Sequence, residues 1–444
     1  MNIEQYLDKI YAAAQDSGAD EFQIICDYSG NQKWTLLQGK IVTKSNMENQ
    51  TVSVMLKKDG KIGRCLSRNF KESAIPLIIE SAMENALIKD NSEEEFFYDG
   101  KGQYAIVEQH HSLPEIASLE NPVKFMQEVE SKILAADKRI LPDPKIFFQI
   151  AERSKFIKNS LGLNLHKKEE RVIASAFISA QDGKYKETAS EDIYFDKKED
   201  FDASTLAKKV VKKVLSRLNG VKPTSGRKKV VFSEECFAGI LFYLGWKVFA
   251  EEVEKKNSIF AGKIGELMAS PIVTIIEDPL LKGGYETTSF DDEGVPTYKK
   301  EIISKGVLQT YLHNLKTAHK NKIAPTGNAS SEGWGVALHN LYLKAGDVSK
   351  EELLKAVGNG IYIDNIQGFM QGIWKNSAGD FSFSASGFLI ENGKITQPLE
   401  QFTIAGNYGQ MLKDIKLIAN DLEFQSFGIG SPTVWVDNLM IGGK

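Results

Sequence analysis

The sequence predicts an α+β fold: αβ-layer N-terminal units with mainly antiparallel strands, followed by a β-rich, glycine-punctuated C-terminal domain. Three observations lead there. Apolar residues recur at helical spacing in separate stretches of the first 220 residues, and the strand-like runs between them are joined by short turns. Beyond residue 227 the chain becomes β-rich, with glycines at 283, 284, 358, 360, 368, 372, 428, 430, 442 and 443. At roughly 100–200 residues per domain, 444 residues suffice for about two to four domains, each large enough to bury a core.

Residues 3–15 form the first expected helix, because Ile3, Tyr6, Leu7 and Ile10 share one face. Strand-like runs follow at 21–28 and 33–37. Val52, Val54 and Leu56 then alternate up to Lys58-Asp59-Gly60, where Asp-Gly is a two-residue hairpin signal, and 61–67 is the return strand. Ile75, Ile78, Ile79, Ala82 and Ala86 make the stripe of a second helix, completing an αβ unit over 1–90. A polar stretch with acids at 93–95 leads to a central α+β unit over 103–220. It holds a helix at 122–136, strands at 145–152, 156–160, 170–182 and 185–194, and a closing helix. That helix turns Leu206, Val210, Val211, Val214, Leu215 and Leu218 inward, with Gly220 as its C-cap. Residues 221–226 are the linker into the β-rich unit, 227–444.

Composition excludes several classes. With 42% hydrophobic and 26% charged residues, the chain is neither disordered nor a disulfide scaffold. A formal charge of −4 provides no global field toward nucleic acid or an anionic membrane. Cys26, Cys65 and Cys236 are odd in number and far apart, as expected of reduced thiols in a cytoplasmic protein. The acidic N-terminus does not resemble a signal peptide, and no run reaches the ~20 apolar residues of a membrane span.

Few residues could carry chemistry. Lys208, Lys209, Lys212, Lys213, Arg217, Lys222, Arg227, Lys228 and Lys229 form a basic tract without an acid. Lysine dominates it and no aromatic interleaves it, so a solvated helix face is expected rather than a nucleic-acid footprint. His313 and His319 would point about 120° apart on a helix, which is wrong for a shared ion. His110 and His111 diverge on an extended chain, and His166 and His339 have no nearby His or Cys. Asp291, Asp292 and Glu293 are the densest carboxylate cluster, able to hold a cation, act as an acid/base pair, or cap a turn. Asn328 lies in the loop-like Pro325-Thr-Gly-Asn328. Phosphate-binding loops, dinucleotide fingerprints, nucleophile elbows and His-Glu-x-x-His are all missing.

One set of segments does form a pattern: Gly262-Lys-Ile-Gly-Glu-Leu267 with Ala269-Ser-Pro271, Asp291-Asp-Glu-Gly-Val-Pro296, Gly306-Val-Leu with Tyr311-Leu, Ala324-Pro-Thr-Gly-Asn-Ala329, Leu389-Ile-Glu-Asn-Gly-Lys394 and Ser431-Pro-Thr-Val-Trp-Val-Asp-Asn-Leu439. In this order they resemble the TldD/PmbA family, in its PmbA (TldE) branch, over nearly all of 227–444. The resemblance implies a cytosolic metallopeptidase complex in which a TldD-type subunit holds zinc and cleaves unfolded peptides. In that catalytic branch a helix bears His-Glu-x-x-x-His and a C-terminal loop supplies a cysteine. Here the corresponding helix starts at Ser233, a good N-cap, and reads Leu241-Phe-Tyr-Leu-Gly-Trp-Lys247, while the loop at 420–430 has no cysteine. A catalytic zinc needs three strong protein ligands and an open position.

The expectation is therefore a metal-free subunit with no catalytic, cofactor or metal residue of its own. Zinc would reside in the partner of a heterodimer, with a homodimer as the other assembly. Asp291, Asp292, Glu293 and Asn328 are its candidate family-loop residues. The alternative is a non-catalytic regulator of a DNA-handling enzyme, of the gyrase-modulator type, for which only the tract at 208–229 speaks. A third is a hydrolase built on Asp291, Asp292 and Glu293.

Overall fold

A computed structural model describes residues 3–88, 95–107, 122–195, 201–330, 335–367, 378–425 and 427–444. His110, His111, Glu93, Glu94, Gly368 and Gly372 lie outside the described residues.

The N-terminal half is built on one six-stranded antiparallel sheet. Helix α1 (Ile3–Gln15) leads into β1 (Glu21–Leu37), β2 (Lys40–Lys58) and β3 (Lys61–Ser67), and α2 (Ile75–Ile88) follows. After α3 (Pro122–Ala136) come β4 (Lys145–Asn159), β5 (Asn164–Asp182), β6 (Tyr185–Tyr194) and α4 (Ala203–Ser216). The sheet order is β3-β2-β1-β4-β5-β6, so the first and central units share a sheet through β1 and β4. The Asp59-Gly60 hairpin is present, with both residues at positive φ (50° and 78°).

The runs expected at 21–28 and 33–37 are one strand, as are 145–152 and 156–160. Ladder partners on both sides carry β1 through its polar middle, Ser29 to Gln32, overriding local propensity. The closing helix stops at Ser216 rather than at Gly220. Asn219 takes the left-handed position (φ 62°). Gly220 is needed for close approach instead, since a Cβ there would lie 2.6 Å from the Glu400 amide nitrogen.

The four described helices of this half pack on the sheet face carrying the even-numbered residues of β1. Ile24, Cys26, Val52 and Val54 meet α1 and α2, while Trp34, Leu36, Ile146 and Phe148 meet α3 and α4. The two cores thus lie side by side on a single sheet. The opposite face receives the C-terminal unit, where Phe290 packs on Ile157 and Leu163 beside Ile25 and Tyr104.

That unit begins with β7 (Gly226–Phe232), α5 (Glu234–Lys247) and α6 (Ala250–Glu254). Its first sheet contains β8 (Ile275–Glu277), β9 (Lys300–Ser304), β10 (Val307–Leu308) and β11 (Leu341–Leu343), with α7 (Leu315–Asn321) between β10 and β11. Helix α8 (Lys350–Val357) precedes β12 (Gly360–Gln367), β13 (Asp380–Glu391) and β14 (Lys394–Asn407). Helix α9 (Tyr408–Lys413), β15 (Ile415–Ile418), β16 (Glu423–Gln425), β17 (Ile429–Ser431) and β18 (Val434–Gly442) complete the chain. One sheet runs β10-β9-β8-β11-β17-β16. The other runs β14-β13-β12-β7-β18-β15, and an added β14–β18 pairing closes five of its strands into a small barrel. The pairs β7/β12 and β11/β17 are parallel, departures from the mainly antiparallel pattern. Helix α5 joins barrel and sheet, burying Phe237, Ile240, Leu241 and Leu244 in the largest core cluster.

Gly63 of β3 touches α2 so closely that a Cβ would stand 2.0 Å from the Ala82 carbonyl oxygen and 2.1 Å from the Ala86 nitrogen. Backbone cannot yield as a side chain can. Gly63→Ala is expected to destabilise the fold by about 1–3 kcal/mol, the usual cost of overpacking, measured as a lower urea midpoint at unchanged m-value.

Candidate functional site

The acidic turn at 291–293 sits where the C-terminal unit meets the N-terminal sheet, and its three carboxylates point to three different tasks. Asp291 is buried. Its Oδ1 accepts from the amides of Glu293 and Val295, each at 2.9 Å, and its Oδ2 from the Ala329 amide at 2.8 Å. Asp292 reaches across to the sheet, with Oδ1 2.7 Å from Lys155 Nζ, which also lies 3.3 Å from Asp27. Glu293 turns the other way and accepts from the Leu315 amide at 2.7 Å, in the first turn of α7. Burial pushes the Asp291 carboxyl up to about 6, and burial followed by the Asp291 charge pushes Glu293 up to about 8.

Asn328 belongs to a neighbouring buried cluster that the sequence does not advertise. Its Nδ2 donates to Glu277 Oε1 (2.9 Å) and to the Ala337 carbonyl (3.1 Å), and its Oδ1 accepts from Lys300 Nζ (3.2 Å). Glu277 has no exposed surface, pairs with Lys300, and accepts the His339 amide at 3.0 Å. The His339 ring nitrogen Nδ1 stands 3.3 Å from the same carboxylate, off the line of a hydrogen bond. Burial opposes the Glu277 charge, but Lys300 and His339 outweigh it and hold the carboxyl below its usual range. Asp291 is tied to the Asn328 segment through the Ala329 amide.

The remaining described histidines stay apart. His313 precedes α7 instead of lying on it, buried with Nδ1 3.2 Å from Thr317 Oγ1. His319 stacks near Phe96, with ring centroids 4.0 Å apart, and His166 stacks on Phe156 at 3.9 Å. Among the described residues no group of three or more His, Cys, Asp or Glu side chains could hold a metal ion.

Part of the basic tract serves structural tasks, while Lys208, Lys212 and Lys222 are exposed. Lys213 pairs with Glu235 (2.6 Å) and Glu191 (3.4 Å), and Arg217 is buried against Asp364 (3.0 Å). Lys229 donates to the Val357 carbonyl and lies over the Trp435 ring. Among the described residues no helix is long and apolar enough to cross a membrane.

Helix α5 begins as expected, with the Ser233 hydroxyl accepting from the Cys236 amide and Glu234 and Glu235 in the first turn. Along the stretch where the family resemblance would put a zinc motif, Phe242 and Trp246 lie one turn apart with ring centroids separated by 4.9 Å. Phe427, from the loop where the cysteine would be, meets Phe242 edge-on at 5.4 Å. Lys247 is buried and donates to the Asn257 carbonyl. Aromatic rings and an ammonium offer a zinc ion no electron pair, so these residues do not fit the metal. A pair missed by sequence reading lies at the same helix start. Burial, then a hydrogen bond with Asp421, raises the Glu234 carboxyl, whose Oε1 is 2.9 Å from Lys350.

Two family models match the chain, the PmbA/TldA metallopeptidase central domain at residues 113–218 and the C-terminal domain of the same family at 225–443. A PmbA-type metalloprotease homologue of Haemophilus influenzae is 30% identical over 325 residues, 71% of this chain and 68% of that protein. A metalloprotease of Methanothermobacter thermautotrophicus is 33% identical over 259 residues, 54% of this chain and 56% of that protein. For several such relatives the match thus spans only about half of their own length. A crystal structure of a candidate modulator of a DNA gyrase from Thermotoga maritima superimposes with a TM-score of 0.90 at 28% identity, covering 99% of this chain and 100% of that one. TldE from Thermococcus kodakarensis shares the fold, with a TM-score of 0.86 at 20% identity and coverage of 99% and 100%.

Two outcomes follow from the geometry. Lys300→Met leaves the Glu277 carboxylate buried without its cation, and should cost about 3–5 kcal/mol in denaturant unfolding. Glu293 and Asp291 bind protons more tightly folded than unfolded, so their stabilising contribution is complete below pH ~4 and is lost as pH rises through about 6 and about 8. Glu293→Gln should remove the upper part of that decline in a stability series from pH 5 to about 9.

Proposed function

The chain belongs to the TldD/PmbA metallopeptidase family, and from that premise we propose that it acts as the metal-free subunit of a cytoplasmic zinc metallopeptidase that degrades or processes unfolded peptides. The observation that carries this reading is the packing of Phe242, Trp246 and Phe427 where a catalytic member would place its zinc ligands. A peptidase zinc supplies a Lewis acid and a bound water of pKa near 7. This chain has no donor set there to hold one, so that chemistry falls to a TldD-type partner.

In this reading the chain contributes shape and backbone. Strand β16, the outer strand of its sheet among the described residues, runs toward Phe427 of the aromatic patch, and extended peptides bind outer strands through main-chain hydrogen bonds with little regard for sequence. Asp291, Asp292, Glu293 and Asn328 then serve as the frame of the docking turn, and the units at 1–90 and 103–220 act as one shared layer over 227–444. A heterodimer is the proposed assembly, because a partner with a similar architecture would enclose the same patch from the other side; a homodimer is the other arrangement.

The test is reconstitution. The purified chain alone is expected to bind no stoichiometric zinc by elemental analysis and to leave an unfolded peptide intact. Mixed with a zinc-loaded TldD-type subunit, it should co-elute in size-exclusion chromatography and support cleavage. One zinc per lone chain together with peptide hydrolysis would overturn the proposal.

A further inference from the structure

A cavity of about 310 Å³ opens on the face of the N-terminal sheet opposite α1 to α4, beside the turn at 291–293. That volume is at the small end of the range of ligand pockets, roughly 300–1,000 Å³. Its charged lining comes from two adjacent cross-strand rows. In one, Asp27 of β1 faces Lys155 of β4, which faces Lys167 of β5; in the next, Arg153 of β4 faces Glu169 of β5. Asp292 closes the cavity from the C-terminal unit.

Two lysines directly opposite each other on neighbouring strands repel, so the arrangement needs anionic partners. Asp292 supplies one, but unevenly. It lies 2.7 Å from Lys155 and 3.7 Å from Lys167. Glu169 stands 3.9 Å from Lys167, and the Phe290 ring lies 5.5 Å from the same ammonium. Both carboxylate distances at Lys167 exceed a hydrogen bond, although its side chain is only 15% exposed. An ammonium held in a cavity wall with loose partners is where an incoming carboxylate gains most. Arg153 stands on the same face one row away and adds a planar guanidinium suited to a carboxylate.

The acids decide what else the ligand carries. Asp27, Glu169 and Asp292 balance Arg153, Lys155 and Lys167 one for one, so a purely anionic guest such as phosphate would meet three carboxylates. We propose that this pocket binds a small zwitterion, a free amino acid or short peptide whose carboxylate sits between Lys167 and Arg153 and whose amino group faces Glu169 and Asp27. It is separate from the aromatic patch of α5, and in a peptidase complex it would receive a cleaved fragment or hold a peptide end. That last role rests on the subunit reading; the binding itself does not.

Binding is read on the lone full-length chain by calorimetry or chemical-shift titration, with no partner and no zinc, so a negative result leaves the subunit role standing. The probes are alanine, tri-alanine, tri-alanine amide and inorganic phosphate. Alanine or tri-alanine is expected to saturate at concentrations up to about 10 mM, and which of them binds tighter identifies the amino-acid or the peptide source. Amidation of tri-alanine should weaken its binding about tenfold, the loss of one charge-assisted contact. Lys167→Gln should weaken the free acid by a similar factor and abolish the preference for it over the amide, whereas Lys167→Arg should retain that preference. The comparison of acid with amide on the unaltered chain stands even if a variant fails to fold. Absence of saturation by both zwitterions, equal binding of acid and amide, or tighter binding of phosphate would overturn the proposal.

Discussion

A carboxylate with no exposed surface must have its charge matched within the fold, and Glu277 imposes that demand on the C-terminal unit. Three separate segments answer it. Lys300 comes from β9, Asn328 from the loop after α7, and the amide and ring of His339 from the approach to β11. Each is held at hydrogen-bond or ion-pair distance, so the strands of this sheet and the loops around it are positioned together. The Asp291 turn hangs from the same loop through the Ala329 amide, which makes the docking turn an extension of the buried cluster.

From that turn the constraint passes to the N-terminal sheet. Phe290 fills the apolar gap against Ile157 and Leu163, Tyr104 donates to the Gly294 carbonyl at 2.8 Å, and Asp292 takes the Lys155 ammonium. Arg171 on Glu286 and Arg217 on Asp364 repeat the pattern elsewhere along the boundary, each an N-terminal guanidinium on a C-terminal carboxylate. Apolar packing with charge-assisted contacts around it fixes orientation more firmly than either alone, because a rotation that keeps the apolar area would still strand a buried charge. The pocket at Lys167 exists because this docking stops short of covering the whole face.

The region of α5 shows how burial maintains a helix whatever its half-exposed positions carry. Ser233 still caps the helix, and Phe237, Ile240, Leu241 and Leu244 still join barrel to sheet. The half-exposed positions of that helix and the Phe427 loop hold rings that pack on each other. Helix and core are maintained by burial, which is indifferent to what the exposed face carries.

Local patterns were legible in the chain itself. The Asp59-Gly60 hairpin, the Ser233 cap, the stripes of α1, α2 and α4, and the lack of His, Cys, Asp and Glu at 241–247 all follow from neighbouring residues and their periodicity. Only the tertiary structure decided the rest. Nothing near Ser29–Gln32 in sequence announces that β1 continues, because β2 and β4 supply its hydrogen bonds from tens to more than a hundred residues away. The three acids at 291–293 read as one cluster in the chain, yet they separate into a turn, an inter-unit ion pair and a helix cap. Side-chain direction follows backbone dihedrals and distant partners, and spacing along the chain carries neither. The pairing of Glu277 with Lys300, and the meeting of Asp27, Lys155, Lys167 and Asp292, likewise join residues that no local rule relates. Short-range chemistry determined which elements form, and long-range burial of charge determined where the charged groups meet.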